Sequence, residues 1–323
     1  MLAGLALTVL RLALIGVVAY LAIAGGLILS QWPGRDLGGA GLQFPERQGG
    51  IAAPAPRTYI ARDGVGLAYR LFPGPEGAPL VVLIHGSGAH GLYYAGLADR
   101  LSRHATVLLP DLRGHGQSRA AAPDVSHIGQ LEEDIADLAR AHLAEGQTFV
   151  LAGHSSGGGL AIRYAGGEEH PRPDGAMLLA PFLKYDAPTM RENSGHWAYP
   201  LTRRIVGLSM LNAVGIRALN GLTVIEFNVP QALRSEMTAA YSYRLNASYA
   251  PRGDYLKDIS ALPEFLLVAG DADEAFRTDL YEATMAPANP GGDYHLIPAV
   301  THLGAIDAGI TARLMGGYLD RLR

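Results

Sequence analysis

The stretch FVLAGHSSGGGLAIRYA, residues 149–165, decides how this chain folds. It starts as an apolar run typical of a buried strand, passes through Gly153-His154-Ser155-Ser156-Gly157, and continues with the spacing of a helix. A G-x-S-x-G in that context predicts a sharp turn that projects its serine side chain, and Gly153 and Gly157 keep the flanks of the turn small. We therefore predict that Ser155 is a nucleophile at the start of a helix.

Strand and helix patterns alternate on both sides of this turn. Strands are predicted over residues 57–61, 66–72, 79–85, 106–112, 149–153, 175–180, 264–270 and 294–300. Helices are predicted over residues 93–103, 156–164, 274–285 and 304–322, and a further helix is predicted to be capped by Ser126. The alternation predicts an α/β fold with an open, mostly parallel, doubly wound sheet over residues 57–323. Residues 184–260 interrupt it with tyrosines and apolar runs at helical spacing, which predicts a helical cap inserted over the sheet.

The N-terminal segment is strongly apolar. Residues 12–29 carry no charge and are about as long as the shortest helix that crosses a bilayer. We predict a transmembrane anchor within residues 1–32, with the catalytic domain outside the cytoplasm on the periplasmic side. The alternative is a secreted protein whose signal peptide is cleaved, because Ala22-Ile23-Ala24 is an acceptable cleavage site. Residues 33–56 are rich in Gly, Pro and Ala, which predicts a linker.

Composition excludes several classes of function. The 323 residues include 26 basic and 30 acidic side chains, a net charge of −4, which offers no positive field for a nucleic acid. Cysteine is absent, so thiolate catalysis, disulfides and Cys-ligated metals are excluded. No H-E-x-x-H spacing or phosphate-binding loop is present, and we predict no metal and no organic cofactor.

A serine nucleophile needs a base and a group that orients the base. Asp271 and Asp273 both follow the predicted strand 264–270, and His302 follows the last strand. Because the carboxyl ends of parallel strands lie at one rim of the sheet, these side chains are expected near Ser155. His302 is the predicted base, whereas His295 lies within its strand and His154 is expected to point away from the nucleophile. The pattern alone leaves both aspartates open as the acid.

Two backbone N–H groups are predicted to form an oxyanion hole. One belongs to Ser156, the residue after the nucleophile. The other belongs to Ser87, in the loop after strand 79–85, where Gly86 and Gly88 let the backbone turn toward the substrate. His85 is predicted to be a structural hydrogen-bonding residue and not a second base.

Several motifs together resemble one family. His85-Gly86-Ser87-Gly88-Ala89-His90, Asp111-Leu112-Arg113-Gly114-His115-Gly116-Gln117-Ser118 and Gly153-His154-Ser155-Ser156-Gly157-Gly158 resemble motifs of α/β-hydrolases of the monoacylglycerol lipase and lysophospholipase type, also called serine aminopeptidase S33-like. The resemblance covers about residues 57–322. It implies the α/β-hydrolase fold, gives the acid role to Asp273 through a G-x-x-D motif, and matches His302 to the terminal histidine. Residues 184–260 correspond to the family's cap and carry no recognisable signature.

These observations predict a serine hydrolase that cleaves carboxylic esters through an acyl-enzyme on Ser155. Its partners would be a small-molecule or lipid ester and, through the N-terminal segment, a membrane. The apolar cap and the anchor favour a lipid-like ester of the monoacylglycerol or lysophospholipid type. The alternatives are a peptidase or an acyltransferase with the same triad, and a noncatalytic binding module on the same fold.

Overall fold

The computed structural model describes residues 2–34, 41–44 and 53–323. Its centre is an eight-stranded sheet in the order β1-β2-β4-β3-β5-β6-β10-β11. Those strands are β1 Arg57–Ile60, β2 Gly66–Phe72, β3 Leu80–Ile84, β4 Thr106–Pro110, β5 Phe149–His154, β6 Gly175–Leu179, β10 Phe265–Gly270 and β11 Gly292–Ile297. The strands from β4 to β11 are parallel, and β2 runs antiparallel to both of its neighbours. The predicted α/β fold with a mostly parallel sheet is confirmed.

Helices cover both faces of the sheet. They are α2 Ala95–Leu101, α3 Gln130–His142, α4 Ser156–Ala165, α8 Tyr281–Met285, α9 Gly304–Asp307 and α10 Gly309–Arg321. Successive residues of a strand point to opposite faces, so β3 sends Leu80 and Val82 into one core and Val81 and Leu83 into the other. Every residue of β3, β5, β6 and β10 is buried, as expected for central strands of a doubly wound sheet.

The insertion between β6 and β10 contains both helices and strands. Its helices are α5 Thr202–Ala213, α6 Tyr243–Tyr249 and α7 Tyr255–Ser260. Between them lies a three-stranded antiparallel sheet of β7 Ala198–Pro200, β8 Thr223–Phe227 and β9 Ala240–Ser242. The prediction of a helical cap therefore missed a sheet. Its central strand begins with three β-branched residues, which favour extended backbone, but β7 and β9 are too short to show a period of two.

Three predicted helices have different bounds in the structure. Residues 274–277 form a turn, because the Ala275 and Phe276 N–H groups donate to the Asp273 carboxylate instead of to a helical carbonyl. The last predicted helix is two helices, α9 and α10, separated by an extended Ala308. α3 begins at Gln130, after a left-handed Gly129, so Ser126 is not its cap.

α1 spans Leu2–Leu29 and is long and apolar enough to cross a membrane. Residues 2–19 are exposed, while residues 20–29 run antiparallel to α5 of the cap. The Tyr20 hydroxyl donates to the Met210 carbonyl at 2.8 Å, and the Arg204 guanidinium donates to the Ile28 carbonyl at 3.2 Å. The backbones are so close that a Cβ on Gly207 would lie 2.6 Å from the Ala24 carbonyl oxygen. Most of the predicted linker, residues 35–40 and 45–52, lies outside the described residues.

Candidate active site

Ser155 occupies the strained turn between β5 and α4. Its φ of 55° and ψ of −123° are unfavourable for a residue with a side chain. The turn is held by its own backbone, since the Ser155 N–H donates to Leu179 at 2.9 Å and its carbonyl accepts from Phe182 at 2.9 Å. A Cβ on Gly153 would collide with the Gly157 carbonyl, so the close packing of the turn requires glycine there. The sequence motif thus folds into the sharp turn that it predicts.

His302 and Asp273 meet behind this turn. Nδ1 of His302 lies 2.7 Å from Oδ2 of Asp273, and both side chains are almost completely buried. The other carboxylate oxygen accepts the N–H groups of Ala275 and Phe276, each at 2.8 Å. Burial raises the pKa of Asp273, but His302 and these hydrogen bonds lower it by more, so the pKa lies below its ordinary value of 3.8. A charged Asp273 holds the proton of His302 on Nδ1 and leaves Nε2 as the basic nitrogen.

The other two candidates from the sequence lie elsewhere. Asp271 is exposed and accepts the Ala299 N–H at 2.6 Å, which is a loop contact. His295 lies on the edge strand β11, partly exposed, 2.8 Å from Asp293. The structure therefore brings Asp273, and not Asp271, to His302.

His154 has a contact that the sequence did not predict. Its ring lies 4.6 Å from the ring of His302, and its Nε2 lies 3.1 Å from the His302 carbonyl oxygen. A carbonyl only accepts, so Nε2 carries the proton and Nδ1 faces the Tyr94 hydroxyl at 3.0 Å. Burial and the neighbouring His302 lower the pKa of His154 to about 3, which keeps the ring neutral. His154 therefore supports the backbone of the candidate base.

The loop after β3 leaves one N–H available beside Ser155. The Gly86 N–H donates to the Tyr94 hydroxyl at 2.9 Å, and the Gly88 N–H donates to the Tyr241 hydroxyl at 2.6 Å. Between them, the Ser87 N–H has no acceptor among the described residues, and neither has the Ser156 N–H. The Ser87 and Ser156 hydroxyls are joined at 2.8 Å, so the two serines are adjacent. Two free N–H groups side by side are what an oxyanion hole requires.

Two buried histidines support the loop after β3. Nε2 of His115 lies 2.7 Å from the same Tyr241 hydroxyl that binds Gly88. His85 accepts the Leu112 N–H on Nε2 at 3.1 Å, so it acts as a structural residue, as predicted. Burial lowers the pKa of His85 to about 4 and lowers that of His115 well below its ordinary value. Both rings are therefore neutral near pH 7.

A small cavity of about 30 Å³ joins these groups. Ser155, His302 and Ser87 line it together with apolar side chains that include Phe44 and Trp197. Within residues 2–34, 41–44 and 53–323, no group of three or more His, Asp or Glu side chains is arranged to hold a metal ion.

Comparison with known proteins agrees with the fold and with these motifs. The profile of the Alpha/beta hydrolase family matches residues 81–314. This chain belongs to the α/β hydrolase family, as its motifs predict.

Individual relatives resemble parts or the whole of the chain. The 30 kDa subunit of magnesium chelatase from Rhodobacter capsulatus is 36% identical over 111 residues, which are 34% of this chain and 38% of that protein. The chain thus spans less than two fifths of the length of the first curated relatives that it matches. A soluble variant of monoglyceride lipase from Saccharomyces cerevisiae aligns with a TM-score of 0.63 at 18% identity, covering 86% of this chain and 98% of the lipase. A bacterial membrane phospholipase A aligns with a TM-score of 0.58 at 21% identity, covering 100% of this chain and 99% of that one.

Proposed function

We propose that this protein is a serine hydrolase that cleaves carboxylic esters, with Ser155 as nucleophile, His302 as base and Asp273 as the orienting acid. One observation carries the proposal: His302, paired with the buried Asp273, lines the same cavity as a serine held in a strained turn. Strain at a partly exposed serine beside a buried acid–base pair is typical of catalytic sites.

The proposed reaction proceeds through an acyl-enzyme. Nε2 of His302 takes the Ser155 hydroxyl proton as the oxygen attacks the ester carbonyl carbon. The N–H groups of Ser87 and Ser156 bind the oxyanion, a contribution of about 3 kcal/mol for each donor. The imidazolium then gives its proton to the departing alkoxide, and the ester C–O bond breaks. Water, activated by the same histidine, attacks the acyl-enzyme, releases the acid and restores Ser155.

Hydrolysis of p-nitrophenyl esters by the full-length protein tests this proposal. We expect Ser155→Ala to lower kcat by at least about 10³-fold, because the covalent route is lost while binding remains. A fluorophosphonate probe should label the wild type on Ser155 and leave the variant unlabelled. Equal turnover by both proteins would refute the nucleophile. A folded wild type that neither reacts with the probe nor hydrolyses esters would instead support a noncatalytic binding module.

We propose further that the ester is lipid-like, of the monoacylglycerol or lysophospholipid type. The cavity is lined mainly by apolar side chains, Leu42, Phe44, Trp197 and Met237 among them, and these suit an acyl group. Two proteins of similar fold carry the names monoglyceride lipase and membrane phospholipase A. Release of fatty acid from monoacylglycerol and lysophosphatidylcholine, compared with peptide cleavage and with transfer to an added alcohol, distinguishes the ester hydrolase from a peptidase or an acyltransferase.

We propose that α1 is retained as a membrane anchor, with the catalytic domain outside the cytoplasm. Cleavage after Ala24 would cut the helix at a completely buried residue, beside Gly207 of α5. Intact mass of the protein from the membrane fraction should therefore include residues 1–24, and a product that begins at Gly25 would favour the secreted form. Digestion of the domain by protease added outside intact inner membranes tests the side on which it lies.

A further inference from the structure

A short segment that follows α1 in the sequence reaches the cavity at the candidate active site. In residues 41–44, the side chains of Leu42 and Phe44 line the cavity together with Ser155 and His302. The sequence predicts a linker here, because the surrounding composition is that of a tether. The described part of that linker is instead packed against the candidate active site.

Hydrogen bonding and packing hold this segment in place. The Gln43 N–H donates to one carboxylate oxygen of Glu274 at 2.8 Å, and the other oxygen accepts the His302 N–H at 2.8 Å. Leu42 is only 7% exposed, and the Phe44 ring lies 5.8 Å from that of Trp197. Gly41 has a φ of +62°, and a side chain there would press on Asn228. The segment is thus fitted to the domain at all four residues.

The cavity beside Ser155 is small compared with known ligand sites. About 30 Å³ is the space of one water molecule, whereas sites for small-molecule ligands measure about 300–1,000 Å³. The catalytic side of the cavity is fixed by hydrogen bonds to the backbones of Gly86, Gly88 and His302. Apolar side chains make up much of the remaining lining, and two of them, Leu42 and Phe44, reach the cavity on a short segment.

We propose that Leu42 and Phe44 are specificity-determining residues, which close the acyl side of the catalytic pocket and limit the length of the acyl chain. This inference rests on the proposed ester hydrolysis. Residues 41–44, which follow the proposed anchor in the sequence, thus form a wall of the pocket. Shortening either side chain opens space for additional methylene groups beside Ser155, each of which gains favourable burial.

Chain-length selectivity of the full-length protein tests the proposal. For Leu42→Ala and Phe44→Ala, we expect the ratio of kcat/KM for p-nitrophenyl octanoate to that for the acetate to rise at least 10-fold. Leu256→Ala removes a leucine of α7 that is 41% exposed and should leave the ratio within twofold of the wild-type value. An active wild type with an unchanged ratio in both variants would overturn the proposal and leave ester hydrolysis standing.

A binding measurement tests the same wall without catalysis. The chain has two tryptophans, so Trp32→Phe leaves Trp197, which lies against Phe44, as the only indole. Titration of that protein with bromo-octanoic acid should quench the fluorescence of Trp197. Adding Phe44→Ala should lower the apparent Kd at least 10-fold, and an equal Kd would overturn the proposal even if the protein proved to hydrolyse no ester.

Discussion

At the scale of single residues, the charge of Asp273 is preserved in a place where burial opposes it. Three hydrogen bonds reach its carboxylate, one from His302 and two from backbone N–H groups. A carboxylate that accepts these three hydrogen bonds stays charged and keeps the neighbouring imidazole in one orientation and one tautomer. Asp271, two residues earlier, is exposed to solvent and does not orient the imidazole in this way.

This difference predicts unequal effects for two matched substitutions. Asp273→Asn should lower kcat by about 10³-fold or more, because an amide no longer fixes the proton of His302 on Nδ1. Asp271→Asn should change kcat less than threefold, since its partner is the Ala299 N–H. Steady-state kinetics on p-nitrophenyl butyrate would measure both. The opposite ranking would transfer the acid role to Asp271.

Buried neutral histidines predict how stability changes with pH. The pKa of His85 falls from its ordinary 6.5 to about 4 in the folded protein, so between these values the unfolded chain binds a proton that the folded chain does not. Stability should therefore fall as pH falls from 6.5 toward 4, by about 1.4 kcal/mol per pH unit for this residue.

Urea unfolding at several pH values would isolate this contribution. The free energy of unfolding should depend less steeply on pH in His85→Gln than in the wild type over that interval, because the contributions of the other titrating groups cancel in the comparison. Equal slopes would mean that His85 is protonated in the folded state.

At the scale of elements, the candidate catalytic groups come from the ends of β3, β5 and β10 and from the loop after β11, and a strand of the cap contacts the loop after β3. Tyr241 of β9 binds the Gly88 N–H and contacts His115, so the cap positions the loop that carries Ser87. A small sheet in the cap thus contributes to the geometry of the candidate oxyanion hole.

Removing one hydroxyl from this support should weaken catalysis. Tyr241→Phe is expected to lower kcat about 10-fold with little change in KM, because the Ser87 N–H is then held less precisely where the oxyanion forms. Tyr164→Phe is a matched control, since that buried tyrosine of α4 donates to the Pro171 carbonyl and not to the loop after β3. Equal effects of the two substitutions on kcat would point to general destabilisation.

Elements with a strong local pattern could be predicted from the sequence. The central strands are continuous apolar runs, and Ser155, Asp273, His302, Ser87 and Ser156 all lie just beyond strand ends, where topology brings them together. The supporting contacts of His154, Tyr94 and Tyr241 could not be predicted, because each joins segments far apart along the chain. The same holds for Leu42 and Phe44, whose neighbours in sequence have no periodic pattern.

At the scale of the whole molecule, α1 and the cap form one packed unit. Ala24 and Ile28 of α1 are buried with Leu208, Leu211 and Val224 in a separate apolar cluster. The position of the crossing is set by Gly207, which has no room for a side chain. The length of the apolar segment could be predicted from the sequence, but its last third, residues 20–29, packs on the cap, which no local pattern indicated.

Two glycine substitutions in helices test this packing. Gly207→Ala should destabilise the protein by about 1–3 kcal/mol, because the methyl group would press on the Ala24 carbonyl. Gly317→Ala in α10 meets nothing within 4 Å and should stabilise it by about 0.5–1 kcal/mol through helix propensity. Denaturation midpoints in one detergent would compare them. A stabilising Gly207→Ala would show that α1 does not pack on α5 in the isolated protein.

The antiparallel crossing of α1 and α5 also joins the cap to the helix that we propose as an anchor. With residues 20–29 engaged by the cap, the exposed residues 2–19 extend about 27 Å away from it as a helix. If α1 is retained in the membrane, as proposed, this connection would hold the cap and the pocket at Ser155 close to the lipid headgroups, so that an ester would travel only a short way from bilayer to pocket.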